Sequence, residues 1–335
     1  MVHEDVGTGS AIEVDLAIIG AGPAGLFAAY YAGFRGMSIA VVDSLPELGG
    51  QVSALYPEKA ILDVAGFPVI KGRELVANLV EQAASADPTY LLDRTAVRLE
   101  EDTDGVTLGL DDGTTVRAKV LLITAGIGKF TPRALPAGDG WDGRGLVFFV
   151  PSFEEYAGLD VVIVGGGDSA FDWAHQLTGI AGSITLVHRR DAFRAHQATV
   201  DAVLAGPTEV VTNAEVSELF SDTDDGPVSG VRITTKSGET LERPAQRVIA
   251  ALGFIADLSA MKDWGLTLEK RHIAVDPSMR TNLGRVFAAG DINEYPGKVK
   301  LIAVGFGEAA TAVNNAAVVI DPDAHVFPGH SSEGS

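Results

Sequence analysis

Val14-Asp15-Leu16-Ala17-Ile18-Ile19-Gly20-Ala21-Gly22-Pro23-Ala24-Gly25 decides the fold. A mostly apolar run ends in a glycine-rich turn, and Leu26-Phe27-Ala28-Ala29-Tyr30-Tyr31-Ala32 follows as a good helical stretch. The reading is strand, tight turn, helix. Gly20 allows the turn, Gly22 lets the backbone come close to a pyrophosphate, and Gly25 lets the helix pack against the strand. Pro23 and Ala24 complete the turn, and the unpaired N–H groups of the helix start face the phosphates. A second apolar run, Ser38 to Val42, ends at Asp43. An acid about 20 residues beyond the turn can accept hydrogen bonds from a ribose diol.

The pattern occurs again. Val161-Val162-Ile163-Val164 leads into Gly165-Gly166-Gly167-Asp168-Ser169-Ala170 and a helix to about Leu177. The next strand, Ser183 to Val187, runs into His188-Arg189-Arg190, with Arg194 shortly beyond. The two strand ends differ in charge. Asp43 repels a 2′-phosphate, which suits the adenosine of FAD or NAD. A guanidinium fork matches a phosphate bidentately, so the basic strand end points to NADPH. Asp168 and Ser169 open the second helix; the reading is cap first for Asp168 and cofactor contact second.

At 335 residues the chain is long enough for two domains, and 46% hydrophobic content is globular. The 39 glycines suit repeated close approach of backbone to cofactor. A formal net charge of -20 disfavours nonspecific binding to nucleic acid or anionic lipid. The absence of cysteine removes disulfides, thiolate metal sites, cysteine-ligated clusters and any dithiol redox centre; no metal site is expected. Residues 1–11 do not read as a signal peptide. No apolar run reaches about 18 residues, so no membrane span is expected and the cytoplasm is the default location.

Elsewhere, Arg73 to Ala86 reads as an amphipathic helix with Leu75, Leu79 and Ala83 on one face. Val97 to Leu108 and Thr115 to Lys119 suggest an antiparallel meander turning at Asp111-Asp112-Gly113. Val120 to Ile123 reads as a separate buried strand ending at Thr124-Ala125-Gly126. Phe130-Thr131-Pro132-Arg133 and Val248 to Phe254 read as crossovers between domains. Val228 to Thr235 alternates, a strand follows into Ala288-Ala289-Gly290-Asp291, and a helix covers about Leu301 to Val319.

An acidic site, a basic site and a late Ala-Gly-Asp strand end resemble the flavoproteins with two dinucleotide-binding domains, in the thioredoxin reductase branch. The resemblance covers nearly the whole chain. It implies an α/β fold of two Rossmann-like three-layer ββα domains, with an NADP domain (128–250) inserted into a discontinuous FAD domain (1–127 and 251–335). The Cys-x-x-Cys pair of thioredoxin reductases is missing; the corresponding region reads Leu146 to Phe153. Gln51 to Lys59, Asp63-Val64-Ala65-Gly66-Phe67-Pro68 and Val326 to Ser332 are similar instead to the cysteine-free ferredoxin–NADP reductases of thioredoxin-reductase type.

That likeness implies Tyr56 stacked on one face of the isoalloxazine and His330 on the other. It implies FAD contacts from Gly50, Gln51, Ala125, Gly126, Phe130, Pro132, Gly290, Asp291 and Ser331, beside those of the first turn. Hydride passes from NADPH to flavin N5, and single electrons then pass to ferredoxin, or to flavodoxin. No acid or base catalyst is needed; the work is positioning. The helix from about Leu301 is expected to aim its N-terminus at the flavin, and Lys298 and Lys300 read first as solvated. A homodimer is implied. Ferredoxins are usually acidic, so docking requires a local basic face, for which Lys71, Arg73 and Arg280 are the candidates. An NADPH-dependent reductase of flavodoxin or quinone, and a flavoprotein sensor without turnover, are the alternatives.

Overall fold

The computed structural model describes residues 11–257, 259–327 and 329. The chain divides into two compact units. Unit 1 takes the chain up to Ala54, Lys59–Lys129, and the chain from Ala256 onward; unit 2 takes Leu55–Glu58 and Phe130–Ile255.

Unit 1 begins with β1 (Ile12–Ile19), α1 (Pro23–Phe34), β2 (Ile39–Val42) and the short α2 (Gln51–Leu55). The hairpin β3 (Ala60–Ile61) and β4 (Ile70–Lys71) leads to α3 (Gly72–Ala84) and β5 (Thr89–Leu91). The meander β6 (Ala96–Glu101), β7 (Val106–Leu110) and β8 (Thr115–Ile123) follows. β9 (Lys129–Pro132) carries the chain into unit 2, which contains β10 (Leu146–Val147), β11 (Asp160–Val164), α4 (Asp168–Leu177), β12 (Ser183–His188), α5 (Gln197–Ala205) and β13 (Glu209–Thr212). β14 (Ala214–Phe220), β15 (Gly230–Thr235), β16 (Thr240–Pro244) and β17 (Arg247–Ala250) complete it, and β18 (Phe254–Asp257), paired with β9, leads out. The last portion holds α6 (Ser259–Lys262), β19 (Leu268–Glu269), β20 (His272–Ala274), β21 (Val286–Ala288), β22 (Asn293–Glu294) and α7 (Ile302–Ile320).

The main sheet of unit 1 has the order β5-β2-β1-β8-β7-β6, with β21 also on β8. β1 runs parallel to β2 and β8, which is the expected strand–helix–strand unit. The sequence suggested two strands between Thr115 and Ile123, but β8 is one. Thr115 to Ala118 pairs antiparallel with β7, and Leu121 to Ile123 pairs parallel with β21. The half in the meander alternates buried and exposed, whereas the half between β1 and β21 is buried throughout. One strand thus carries two patterning rules.

Unit 2 is built in three layers. A parallel sheet of order β10-β17-β11-β12-β13 lies between an antiparallel sheet, β14-β15-β16, and the helices. The period of two in β11 sorts the faces. Val162 and Val164 pack with Val216, Val231 and Ile233 of the antiparallel layer, while Val161 and Ile163 pack with Phe171, Leu177 and Val203 of the helices.

α7 is long and apolar enough, by length and composition alone, to cross a bilayer. It packs on α1 and β8, and it carries the buried Glu308, as a core helix does.

Among the described glycines, the closest approach is at the first turn. A Cβ added at Gly25 would lie 1.8 Å from the Gly20 carbonyl oxygen and 2.7 Å from Thr124 Oγ1. Neither neighbour is the free end of a flexible side chain. Gly25→Ala is therefore expected to cost about 1–3 kcal/mol or more, seen as a lower melting temperature of the purified protein.

Candidate functional site

In unit 1 the turn after β1 is stitched from both sides. The Gly20 N–H donates to the Val42 carbonyl at 2.8 Å, and Thr124 Oγ1 donates to the Gly20 carbonyl at 2.8 Å. Asp43 stands at the end of β2, almost fully buried. Its Oδ2 accepts the Ala21 N–H at 2.6 Å and its Oδ1 accepts the Leu45 N–H at 2.8 Å. Burial raises its carboxyl above the ordinary aspartate value, against those two backbone bonds. The carboxylate therefore holds the turn and still has lone pairs left over. In the sequence Thr124 reads only as the end of a strand; a small polar side chain carries no signal of this stitching role.

Gly22 caps α1 in an extended conformation (φ -72, ψ -177), with no side-chain cap and no acid in the first turn of the helix. A Cβ added to it would meet nothing within 4 Å. The loop after β2 closes over the same place. The Gly49 N–H donates to the Ala21 carbonyl at 2.9 Å, and a Cβ on Gly50 would lie 2.9 Å from the Gly22 Cα. Gln51 reaches the loop after β8, where a Cβ on Gly126 would meet its Nε2 at 2.6 Å. Ala125 is half-buried beside it. The structure thus brings Gly20, Gly22, Pro23, Ala24, Gly25, Asp43, Gly50, Gln51, Ala125 and Gly126 to one end of the sheet.

Gly290 joins them. It follows β21 at φ +81, and a Cβ on it would lie 3.3 Å from the Ala24 Cβ in the first turn of α1. Asp291 comes next in the chain and is half-buried. One expectation fails here. The Lys298 side chain is only 2% exposed, paired with Glu308 of α7, rather than solvated. Glu308, Tyr295 and Asn293 form a polar cluster under this turn that sequence reading missed. No periodicity signals an acid inside an apolar helix.

In unit 2, Gly165, Gly166 and Gly167 make the matching turn. A Cβ on Gly165 would lie 2.4 Å from the Ala251 carbonyl oxygen. A Cβ on Gly166 would lie 2.4 Å from the His188 ring, so the imidazole rests on this glycine. Gly167 repeats Gly22: it caps α4 extended (φ -104, ψ -177), and a Cβ there would meet nothing within 4 Å. Asp168 does not cap its own helix. Its Oδ1 accepts the N–H of His196, the cap residue of α5, at 2.9 Å. Ser169 is exposed. The loop after β12 folds back on the turn through a bond of 2.8 Å from the Arg194 N–H to the Gly166 carbonyl. Arg189, Arg190 and Arg194 are exposed, and none forms an ion pair with a described residue. A cavity of about 520 Å³ has Arg189, Asn213 and Lys236 in its wall. Lys236 Nζ donates to Asn213 Oδ1 at 3.0 Å. This second cation lies far along the chain in the turn between β15 and β16, just past the alternating stretch Val228 to Thr235.

Two glycines with ordinary backbone angles and open space where a side chain would stand test the fit of a dinucleotide to each unit. Neither glycine is required by the fold, and each leaves room for a group approaching the backbone at uncapped N–H groups. The polar surroundings are acidic in unit 1 and basic in unit 2. The residues present fit two such groups of different phosphorylation.

Tyr56 is half-buried in the short piece that clusters with unit 2; Phe130 and Pro132 lie in β9. His330 and Ser331 lie outside the described residues. The chain leading to them is tied to unit 1 by Arg35, whose Nη2 donates to the His325 carbonyl at 2.9 Å.

Burial holds the His188 imidazole below its ordinary value of 6.5, with the charges of Arg189 and Arg190 adding and a backbone bond to Ala192 opposing. The unfolded chain then binds the extra proton first as pH falls. The stabilisation is complete above about pH 6.5 and is lost as pH drops through the lower, folded value. His272, lowered mainly by burial, acts with the same sign. The melting temperature is expected to fall on the acid side of pH 6.5, and His188→Asn to reduce that slope without abolishing it.

The pattern of the pyridine nucleotide-disulphide oxidoreductase family matches residues 14–316. A protein of Nocardioides sp. named ferredoxin–NADP reductase is 71% identical over 332 residues, covering 98% of this chain and 99% of its own length. A protein of the same name from Frankia alni is 61% identical, covering 95% and 98%. Among solved structures, the thioredoxin reductase of T. acidophilum superposes with a TM-score of 0.75 at 27% identity, over 91% of this chain and 98% of that one. The thioredoxin reductase of Lactococcus lactis gives 0.74 at 25%, over 92% and 99%. The chain belongs to the pyridine nucleotide-disulphide oxidoreductase family, in the branch whose curated members carry the name ferredoxin–NADP reductase.

Proposed function

We propose that this protein is a FAD-dependent ferredoxin–NADP(+) reductase, with FAD held by unit 1 and NADP(H) by unit 2. The observation that carries this reading is the pair of open helix-capping glycines, Gly22 and Gly167, one beside the acidic Asp43 and the other beside the arginines after β12. The chemistry that FAD supplies when bound is the exchange of an electron pair with a nicotinamide for single electrons with the acceptor protein.

The chain's own residues bind and orient. The N–H groups at the start of α1 address the pyrophosphate, and Asp43 takes the adenosine ribose. Gly50, Gln51, Ala125, Gly126, Phe130 and Pro132 line the rest of the FAD path, and Asp291 meets the far end. Tyr56 and His330 cover the two faces of the ring, and Ser331 closes the site. In unit 2, Gly165, Gly167, Asp168 and Ser169 receive the NADP pyrophosphate, while His188, Arg189, Arg190 and Arg194 receive the 2′-phosphate. No proton is moved by a side chain. The boundaries 1–127, 128–250 and 251–335 divide the FAD and NADP domains in this reading. A cytoplasmic homodimer serving ferredoxin, with flavodoxin as the second acceptor, completes it. No Cys-x-x-Cys is present to take electrons onward as a dithiol, which favours an external acceptor over an internal one.

Anaerobic mixing of the purified protein with NADPH is expected to bleach the flavin absorbance, and ferredoxin to restore it, faster at low salt. A colourless protein, or equal use of NADH, would overturn the reading. Gly22→Ala is expected to fold and to lack FAD. Gly167→Ala is expected to keep FAD and to lose reduction by NADPH. Arg189→Gln with Arg190→Gln should raise the KM for NADPH about tenfold or more, leaving NADH almost unaffected, because charge-assisted bonds are worth about 1.5–3 kcal/mol.

A further inference from the structure

Glu308 lies in α7 and is 4% exposed, yet both carboxylate oxygens are filled. Oε1 accepts the Tyr295 hydroxyl at 2.7 Å and the Lys298 ammonium. Oε2 accepts the Gly290 N–H at 2.7 Å and the Asn293 amide at 3.2 Å. Burial first, and then the Glu308 carboxylate, push the Tyr295 hydroxyl up to about 12, so it remains a donor. Lys298 has a second bond, to the Gly290 carbonyl at 3.0 Å. The ion pair therefore grips both the N–H and the carbonyl of one residue.

That residue stands at a junction. A Cβ on Gly305, in the first turn of α7, would lie 3.5 Å from both the Gly290 Cα and the Ala24 Cβ. The Gly290 turn thus meets the starts of α1 and α7 at one point, where the two helices also meet each other, and Asp291 follows it directly. A buried ion pair is a poor source of stability, because loss of hydration opposes the attraction, and an apolar pair fills a core as well. An apolar pair could not hold a single glycine by both its polar groups at φ +81.

We infer that Lys298 and Glu308 form a positioning clamp for FAD, fixing the Gly290 turn so that Asp291 and the starts of α1 and α7 address the cofactor together. The inference rests on the assignment of FAD to unit 1. Lys298 then acts by geometry, since Glu308 neutralises its charge.

The test compares the wild-type holoprotein with the double variant Lys298→Met/Glu308→Gln, which removes both charges and leaves neither alone. FAD release is followed by flavin fluorescence on dilution, with the flavin midpoint potential and the melting temperature of the FAD-stripped chain measured in parallel. The clamp predicts at least tenfold faster release and a shifted potential in a chain that still melts cooperatively. Release at the wild-type rate with an unchanged potential overturns it. Lys298→Met alone should release FAD as fast or faster, with a lower melting temperature than the double variant; a shifted potential with unchanged release would mean that Lys298 acts as a charge, and also overturns it. Should the double variant not fold, Tyr295→Phe removes one donor and keeps the pair; it should release FAD severalfold faster, and an unchanged rate counts against the clamp. Absence of FAD from the wild-type protein would instead sink the assignment of FAD to unit 1.

Discussion

The carbonyl oxygen of Gly20 lies where a side chain on residue 25 would begin, 1.8 Å from that missing Cβ. Among the described glycines of unit 1 no other leaves its Cβ so little room, and much follows from it. With helix α1 laid directly on the end of β1, its first N–H groups project beyond the sheet edge. Thr124 binds the same Gly20 carbonyl from the neighbouring strand, and Asp43 holds Ala21 from the other side. Three parallel strands therefore fix one turn. Unit 2 shares only the neighbouring contact: a Cβ on Gly165 would lie 2.4 Å from the Ala251 carbonyl oxygen, as one on Gly20 would lie 2.5 Å from that of Thr124, and Ala170 stands where unit 1 has Gly25. In both units close contact inside the turn leaves open space just outside it, at Gly22 and Gly167.

The two units then diverge by charge. Asp43 is buried and its oxygens already serve the backbone, so in the proposed reading a ribose meets only the lone pairs that remain. The arginines after β12 are exposed, and the loop that carries them is bound back to Gly166. A dianionic phosphate near Asp43 would meet a buried negative group with little water to screen it. Near the arginines it would meet forked donors. In the proposed reading, the distinction between the two nucleotides rests on which strand end carries which sign.

A chain with net charge -20 also places an ion pair where water does not reach. Lys298 and Glu308 are 2% and 4% exposed, and their bonds end on one glycine. Short-range hydrogen bonding, rather than long-range potential, is what such a pair can supply. The helix bearing Glu308 passes for a membrane span by composition, and this buried network marks it as a core helix instead.

The sequence by itself determined both strand–turn–helix units, because glycine spacing, apolar runs and the charge at a strand end are local properties. Gly20, Gly22, Gly25, Asp43, Gly165, Gly167 and the arginines from 189 to 194 were all legible in this way. The likeness carried by Tyr56 and the Ala-Gly-Asp strand end supplied the family. Tertiary structure decided the rest. β8 is continuous because two different neighbours share its one edge, which no window of sequence displays. Thr124, Lys236 and the Lys298–Glu308 pair acquire their roles from residues distant along the chain. Asp168 bonds to His196 rather than its own helix because the loop after β12 returns to the turn. Periodicity reports which face of an element is buried; only the folded chain determines which polar groups meet there.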